Sequence, residues 1–396
     1  MEEKKFKRPH YAKEKRERDY ELYHGKVKKA NILDENKEKI LEFIELQKAK
    51  NRSLSSQVHY MNTLQKFCLM FPKKRFKDIN QQETIQFKKW LDSKYKPRTI
   101  AGHMAELKYF LKWLNGGEYA PDCIKWFKSS DIKFEKKFKA KDILSQEEII
   151  KLSKSTDPKM KTRDSALVLT LWESGCRAGE WAKIRKSDIA IEDGTYTVSI
   201  SGKTGERDVF LINSAPSMAE WLEAHPFKAD EDFFVWCGLG KGSKKEHLRR
   251  ENIYRIIRYA AKKSGIKKPI TCHALRHSRA TFMAKQKFNE SMMRQMFGWS
   301  PISRMPSTYT SLASSDIKNA LLGKNGEQEK AIEPKKCYWC NAVNPLERDF
   351  CKQCKRPLSS DLVLAVKQET EKKAEKLVKF LEQNPAVLKQ LQEMEI

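Results

Sequence analysis

The stretch Glu173-Ser-Gly-Cys-Arg-Ala-Gly-Glu180 decides how this chain is read. The span from Arg163 to Arg185 reads as helical, with a turn at Gly175. Glu180 stands three residues after Arg177. Lys203 follows Arg177 by 26 residues, in a Gly202-Lys-Thr-Gly205 turn. The β-rich runs Thr195–Ile200 and Arg207–Ile212 flank that turn and predict a hairpin. After 70 more residues, His273-Ala-Leu-Arg276-His277 supplies an HxxR pair. Gly298-Trp299 then precedes Thr308-Tyr309-Thr310, with Pro301 and Pro306 in between.

These residue types suit phosphodiester chemistry without a metal. Cleavage needs a nucleophile, neutralisation of the non-bridging oxygens, a proton donor for the leaving oxygen and a group that manages the nucleophile's proton. Arg177 and Arg276 offer planar forks that match phosphate bidentately. His273 has two titratable nitrogens, and Lys203 offers an ammonium to the leaving oxygen. Trp299 donates only through its indole N–H, and Tyr309 brings a phenol that can attack phosphorus. Singly, each is an ordinary residue. Their order and intervals carry the signal.

In that order the six residues resemble the tyrosine recombinase (phage integrase) family. The resemblance implies a site-specific recombinase that cuts and rejoins DNA through a 3′-phosphotyrosyl bond at Tyr309, with no cofactor needed for the chemistry. It implies double-stranded DNA as partner, a homotetramer in the synaptic complex and a monomer or dimer when free. In the family the Trp299 position is His or Trp and contacts the phosphate, and the acidic position at Glu180 orients the first arginine. His277, following Arg276, takes a supporting place. Two departures stand out. The interval from Trp299 to Tyr309 is slightly longer than usual, which leaves open delivery of Tyr309 in cis or to a neighbouring subunit. The turn reads Gly-Lys-Thr-Gly where a more basic Gly-Lys-Gly is common, though Arg207 keeps a basic residue nearby. Two other readings stay open: a catalytically silent DNA-binding regulator of the same fold, and a type IB-like topoisomerase.

Composition agrees with a polyanionic partner. The 396 residues carry 79 Lys and Arg against 52 Asp and Glu, a formal charge of +27. Contacts from such a surface to phosphates gain free energy by releasing condensed counterions. No apolar run reaches the roughly 18 residues of a membrane span. The charged start Met1-Glu-Glu-Lys-Lys-Phe-Lys-Arg8 does not read as a secretion signal. Nine cysteines, an odd number, predict reduced thiols in the cytoplasm rather than a disulfide framework.

The periodicity predicts a mainly α protein. A charged N-terminal extension (1–34) reads as a helix or a solvated arm. Residues 35–120 read as four helices, one starting near Ser55-Ser56 and another opened by Pro97 and stopped by Gly116-Gly117, and they resemble the family's helical, SAM-like core DNA-binding domain. A basic linker (121–141) leads to a mostly helical catalytic domain with a small antiparallel sheet (142–322), which starts at a capping box of Ser145 and Glu148. A linker (323–334), a zinc ribbon (335–358) and a C-terminal helix (359–396) complete the chain. In the ribbon, Cys337-Tyr-Trp-Cys340 and Cys351-Lys-Gln-Cys354 are ten residues apart. Two such knuckles supply four thiolates to one structural Zn2+ per chain, with no position left for water. Whether the ribbon binds DNA or protein is open at this level.

Overall fold

The computed structural model describes residues 10–133, 140–202, 205–239, 245–310 and 331–384. They form two compact units, Met1–Lys137 and Phe138–Ile396.

Among the described residues of the first unit, six α-helices surround an aromatic core: α1 (His10–Lys29), α2 (Asp34–Ala49), α3 (Leu54–Met70), α4 (Gln81–Lys94), α5 (Pro97–Leu114) and α6 (Asp122–Lys125). Phe43 meets Tyr60 and Phe110 edge-on, each with ring centroids 5.2 Å apart, a favoured aromatic geometry. Ser53, slightly earlier than the expected Ser55-Ser56, caps α3 by accepting from the Ser56 N–H at 3.2 Å. Asn80 and Glu83 close a capping box on α4, and Pro97 occupies the first turn of α5. Gly116 and Gly117, with φ of 81° and 85°, end α5 in a conformation that costs glycine little.

Of the two readings of the N-terminal extension, the helix is the one seen over His10–Lys29: α1 packs on α3, and Val27 is fully buried. Its apolar residues are too few to show as a stripe among so many charges. Much of the expected linker 121–141 also belongs to this unit. Ile124 and Phe127 are buried, and the Trp126 indole donates to Thr84 Oγ1 at 2.9 Å. A four-residue helix is too short for periodicity to reveal it.

The second unit is built on α8 (Lys161–Ser174), which is buried from Arg163 onward. Its run Ala166-Leu-Val-Leu-Thr-Leu-Trp172 is apolar on nearly every side, as a central helix requires. Around it pack α7 (Gln146–Lys154), α10 (Ala215–Glu223) and α12 (Cys272–Lys285). Short α9 (Ala178–Trp181), α11 (Arg250–Ser264), α13 (Glu290–Phe297) and α14 (Met305–Thr310) complete the helical shell. The sheet has three antiparallel strands in chain order: β1 (Ile189–Glu192), β2 (Thr195–Gly202) and β3 (Gly205–Leu211). Val198 pairs with Ile189 on one side and Val209 on the other, and Gly202 faces Gly205 across the hairpin. The β2–β3 hairpin is the one expected from the sequence, and the four-residue β1 adds a third strand to it.

Farther along, β4 (Lys335–Lys336) and β5 (Val343–Asn344) form a two-stranded ribbon, and α15 (Ser360–Gln383) follows it. The ribbon packs on the rest of its unit. Leu346 joins the core, Glu347 accepts from Ser217 Oγ at 2.9 Å, and Arg348 pairs with Glu220 of α10 at 2.8 Å.

Candidate active site

Gly175 ends α8 in the left-handed region, with φ of 61°. A Cβ there would lie 2.4 Å from the Phe297 ring, so only glycine lets α8 and α13 approach this closely. The turn aims Arg177, at the N-terminus of α9, out of the core with its side chain 38% exposed. Arg177 donates to Glu180 at 2.7 Å.

Glu180 also accepts from Arg207 Nη2 at 2.8 Å, so one carboxylate bridges two guanidinium groups. Burial alone would raise its pKa. The hydrogen bonds and charges of Arg207 and Arg177 outweigh that and hold it below the usual carboxylate range. Arg207 is almost enclosed: Nε donates to the Met296 carbonyl at 3.0 Å, and Nη2 contacts Cys176 Sγ. By sequence, Arg207 stands out only as a basic residue near the Gly202–Gly205 turn. Strand alternation was the available signal, because Arg207, Val209 and Leu211 share the inward face of β3.

On α12, capped by Thr271, residues His273, Arg276 and His277 share one side at i, i+3 and i+4. Arg276 points inward. It donates to the Gly175 carbonyl at 2.7 Å and the Phe297 carbonyl at 2.6 Å, which fixes the fork. Burial, then repulsion from Arg177, lowers its pKa to about 10. It stays protonated at neutral pH, a desolvated cation beside a second one, and an anion would relieve that strain.

Tyr309 on α14 is 2% exposed. Its ring lies parallel to Trp299 with centroids 5.6 Å apart, and Trp299 in turn stacks on Phe297 at 4.8 Å. Its hydroxyl is hydrogen-bonded to His277 Nδ1. Burial pushes the phenol up to about 12, against the pull of the Arg276 charge. The His273 and His277 rings are 6.4 Å apart. Thus Arg177, Arg276, Trp299 and Tyr309 come together, and His273 adjoins them through His277. Lys203 lies outside the described residues.

The sequence profile of the phage integrase family matches residues 142–315, and that of the phage integrase N-terminal SAM-like domain matches residues 40–116. The chain belongs to the phage integrase family of tyrosine recombinases. Among relatives, tyrosine recombinase XerD of Listeria innocua serovar 6a is 29% identical over 219 residues, which is 52% of this chain and 69% of that one. The integrase fold is shared with the XerH site-specific recombinase in its post-cleavage complex on palindromic difH substrate: TM-score 0.54, 20% identity, covering 77% of this chain and 93% of that one. It is also shared with a lambda integrase tetramer bound to a Holliday junction: TM-score 0.53, 14% identity, covering 75% and 79%.

The cysteine cluster lies beyond both matched stretches of this integrase. The sulfurs of Cys337, Cys340, Cys351 and Cys354 all lie within 4.8 Å of one another. The Cys337–Cys354 and Cys340–Cys351 distances are 3.5 and 3.6 Å. A tetrahedral ion with metal–sulfur bonds of about 2.3 Å sets sulfurs roughly 3.8 Å apart, so the four thiols suit a metal. The residue after each knuckle, Asn341 or Lys355, has positive φ, which turns the backbone around the cluster. Asn344, fully buried, contacts Cys351 Sγ and accepts from the Lys352 N–H at 2.8 Å.

Proposed function

We propose that this site-specific recombinase cleaves double-stranded DNA with Tyr309 as nucleophile. The observation that carries this reading is the Tyr309 hydroxyl, held by His277 and lying beside the desolvated Arg276. A phenol with its pKa raised to about 12 is neutral at pH 7, so its proton leaves as attack proceeds. The Tyr309 oxygen forms a bond to phosphorus, the bond to the 5′-oxygen breaks, and the strand leaves as a 5′-hydroxyl. Arg177 and Arg276 neutralise the non-bridging oxygens, His273 exchanges a proton, and Trp299 supports the nucleophile by stacking and offers its indole N–H. Lys203 protonates the leaving oxygen. Religation by a 5′-hydroxyl reverses these steps, so the phosphoester energy is kept.

Double-stranded DNA is the partner, and four subunits assemble on two sites. Zn2+ in the Cys337, Cys340, Cys351 and Cys354 cluster is structural, one per chain. No helix among the described residues is long and apolar enough to cross a membrane, and we place the enzyme in the cytoplasm with its DNA. Nicked suicide substrates carrying candidate target sites test the proposal. The expected result is a covalent protein–DNA adduct on particular sequences, absent from Tyr309→Phe. Adduct at wild-type levels in that variant would refute it.

A further inference from the structure

The ribbon has two kinds of surface. Residues 346–349 face the rest of their unit, where Leu346 is 4% exposed, Glu347 meets Ser217, Arg348 meets Glu220 and Lys154 meets Asp349. The knuckles present a different chemistry. Tyr338 is 89% exposed and Trp339 54%, with the two rings edge-to-face at 5.5 Å. The Arg356 guanidinium lies over the Trp339 ring, 4.4 Å from its centroid. Lys336, Lys352 and Lys355 are exposed around them, and none of these cations forms an ion pair among the described residues. The two acids of the ribbon are both engaged elsewhere, Glu347 buried and Asp349 paired with Lys154.

Large aromatic rings are costly to leave in water without a partner. Lysines alone would fit any phosphate surface. Rings standing among unpaired cations fit a strand whose bases are accessible, because a base stacks on an aromatic face while its phosphates meet the lysines. A base-paired duplex offers no such faces along its length. We infer that the Tyr338–Trp339 face of the ribbon, with Lys336, Lys352, Lys355 and Arg356, is a binding surface for single-stranded DNA, separate from the Tyr309 pocket. Its recognition is by stacking and charge, hence tolerant of sequence. The inference does not rest on the role of Tyr309, so the two stand or fall apart.

The test uses the full chain and a single strand of about 12 nucleotides, within the usual site size, carrying photoreactive 5-iodouracil. Crosslinked peptides are expected to include Tyr338-Trp339. The double variant Tyr338→Ala/Trp339→Ala should lose about tenfold or more in single-strand affinity, with duplex affinity changed less than about twofold. Metal content reports whether that variant keeps its ribbon. A second variant, Lys352→Ala/Lys355→Ala, leaves the rings in place and should lower the salt slope of single-strand binding by about 1.4. Crosslinks confined to other regions, with both variants binding as wild type, would overturn the inference. An equal loss for duplex would overturn the single-strand assignment. A changed oligomeric mass with unchanged DNA affinity would reassign the face to protein contact and overturn it too.

Discussion

The Tyr309 hydroxyl and His277 Nδ1 are hydrogen-bonded to each other, joining the short helix α14 to the HxxR helix α12. The bond holds the phenol at one orientation while Trp299 fixes the plane of its ring. His277→Ala removes the first constraint and leaves the second. Adduct formation on a suicide substrate should slow by about 10²-fold, the usual cost of a misplaced reacting group, with DNA affinity unchanged. A variant that cleaves at the wild-type rate would show that stacking alone positions Tyr309.

Arg177 is the more exposed of the two candidate phosphate arginines, and Glu180 holds its fork. Arg177→Lys keeps the charge and loses the bidentate geometry. Single-turnover cleavage should fall by about 10²- to 10³-fold while the thermal midpoint stays close to wild type. Equal activity would mean that charge alone suffices.

Arg207 predicts a structural penalty. It is 5% exposed in its side chain and ties Glu180 to the Met296 carbonyl. Arg207→Met strips one of two cationic partners from a mostly buried carboxylate and should destabilise the second unit by about 3 kcal/mol. Denaturant titration of the variant measures this, and a change well under about 1 kcal/mol would place Arg207 outside the stabilising network.

Removing the metal should also be felt beyond the ribbon. Cys351→Ser is expected to abolish co-purifying zinc and to loosen the Glu347–Ser217 and Arg348–Glu220 contacts to α10. Losing those bonds should cost the second unit about 1–3 kcal/mol. Zinc content by mass spectrometry, with hydrogen exchange across residues 215–223, checks both halves. Full protection of α10 in a metal-free variant would make the ribbon an independent appendage.

Much of this architecture was legible because it rests on local chemistry. The Ser145–Glu148 capping box, the Gly116-Gly117 stop of α5 and the hairpin at Gly202 and Gly205 each follow from residues close in sequence. The HxxR pair was readable for the same reason. What escaped depends on partners far along the chain. Arg207 is buried by Glu180 and Met296, 27 and 89 positions away. The grip of His277 on Tyr309 spans 32 positions and includes a proline-containing stretch with no periodicity. Ile124 and Phe127 looked like linker because the charged residues around them hide two core positions.

The central claim concerns which atom attacks, and mapping the covalent bond tests it most directly. The adduct trapped on a suicide substrate is digested with protease and nuclease, and the modified peptide is sequenced by mass spectrometry. The account predicts a nucleotide joined through its 3′-phosphate to Tyr309. A bond to any other side chain, or through a 5′-phosphate, would contradict it.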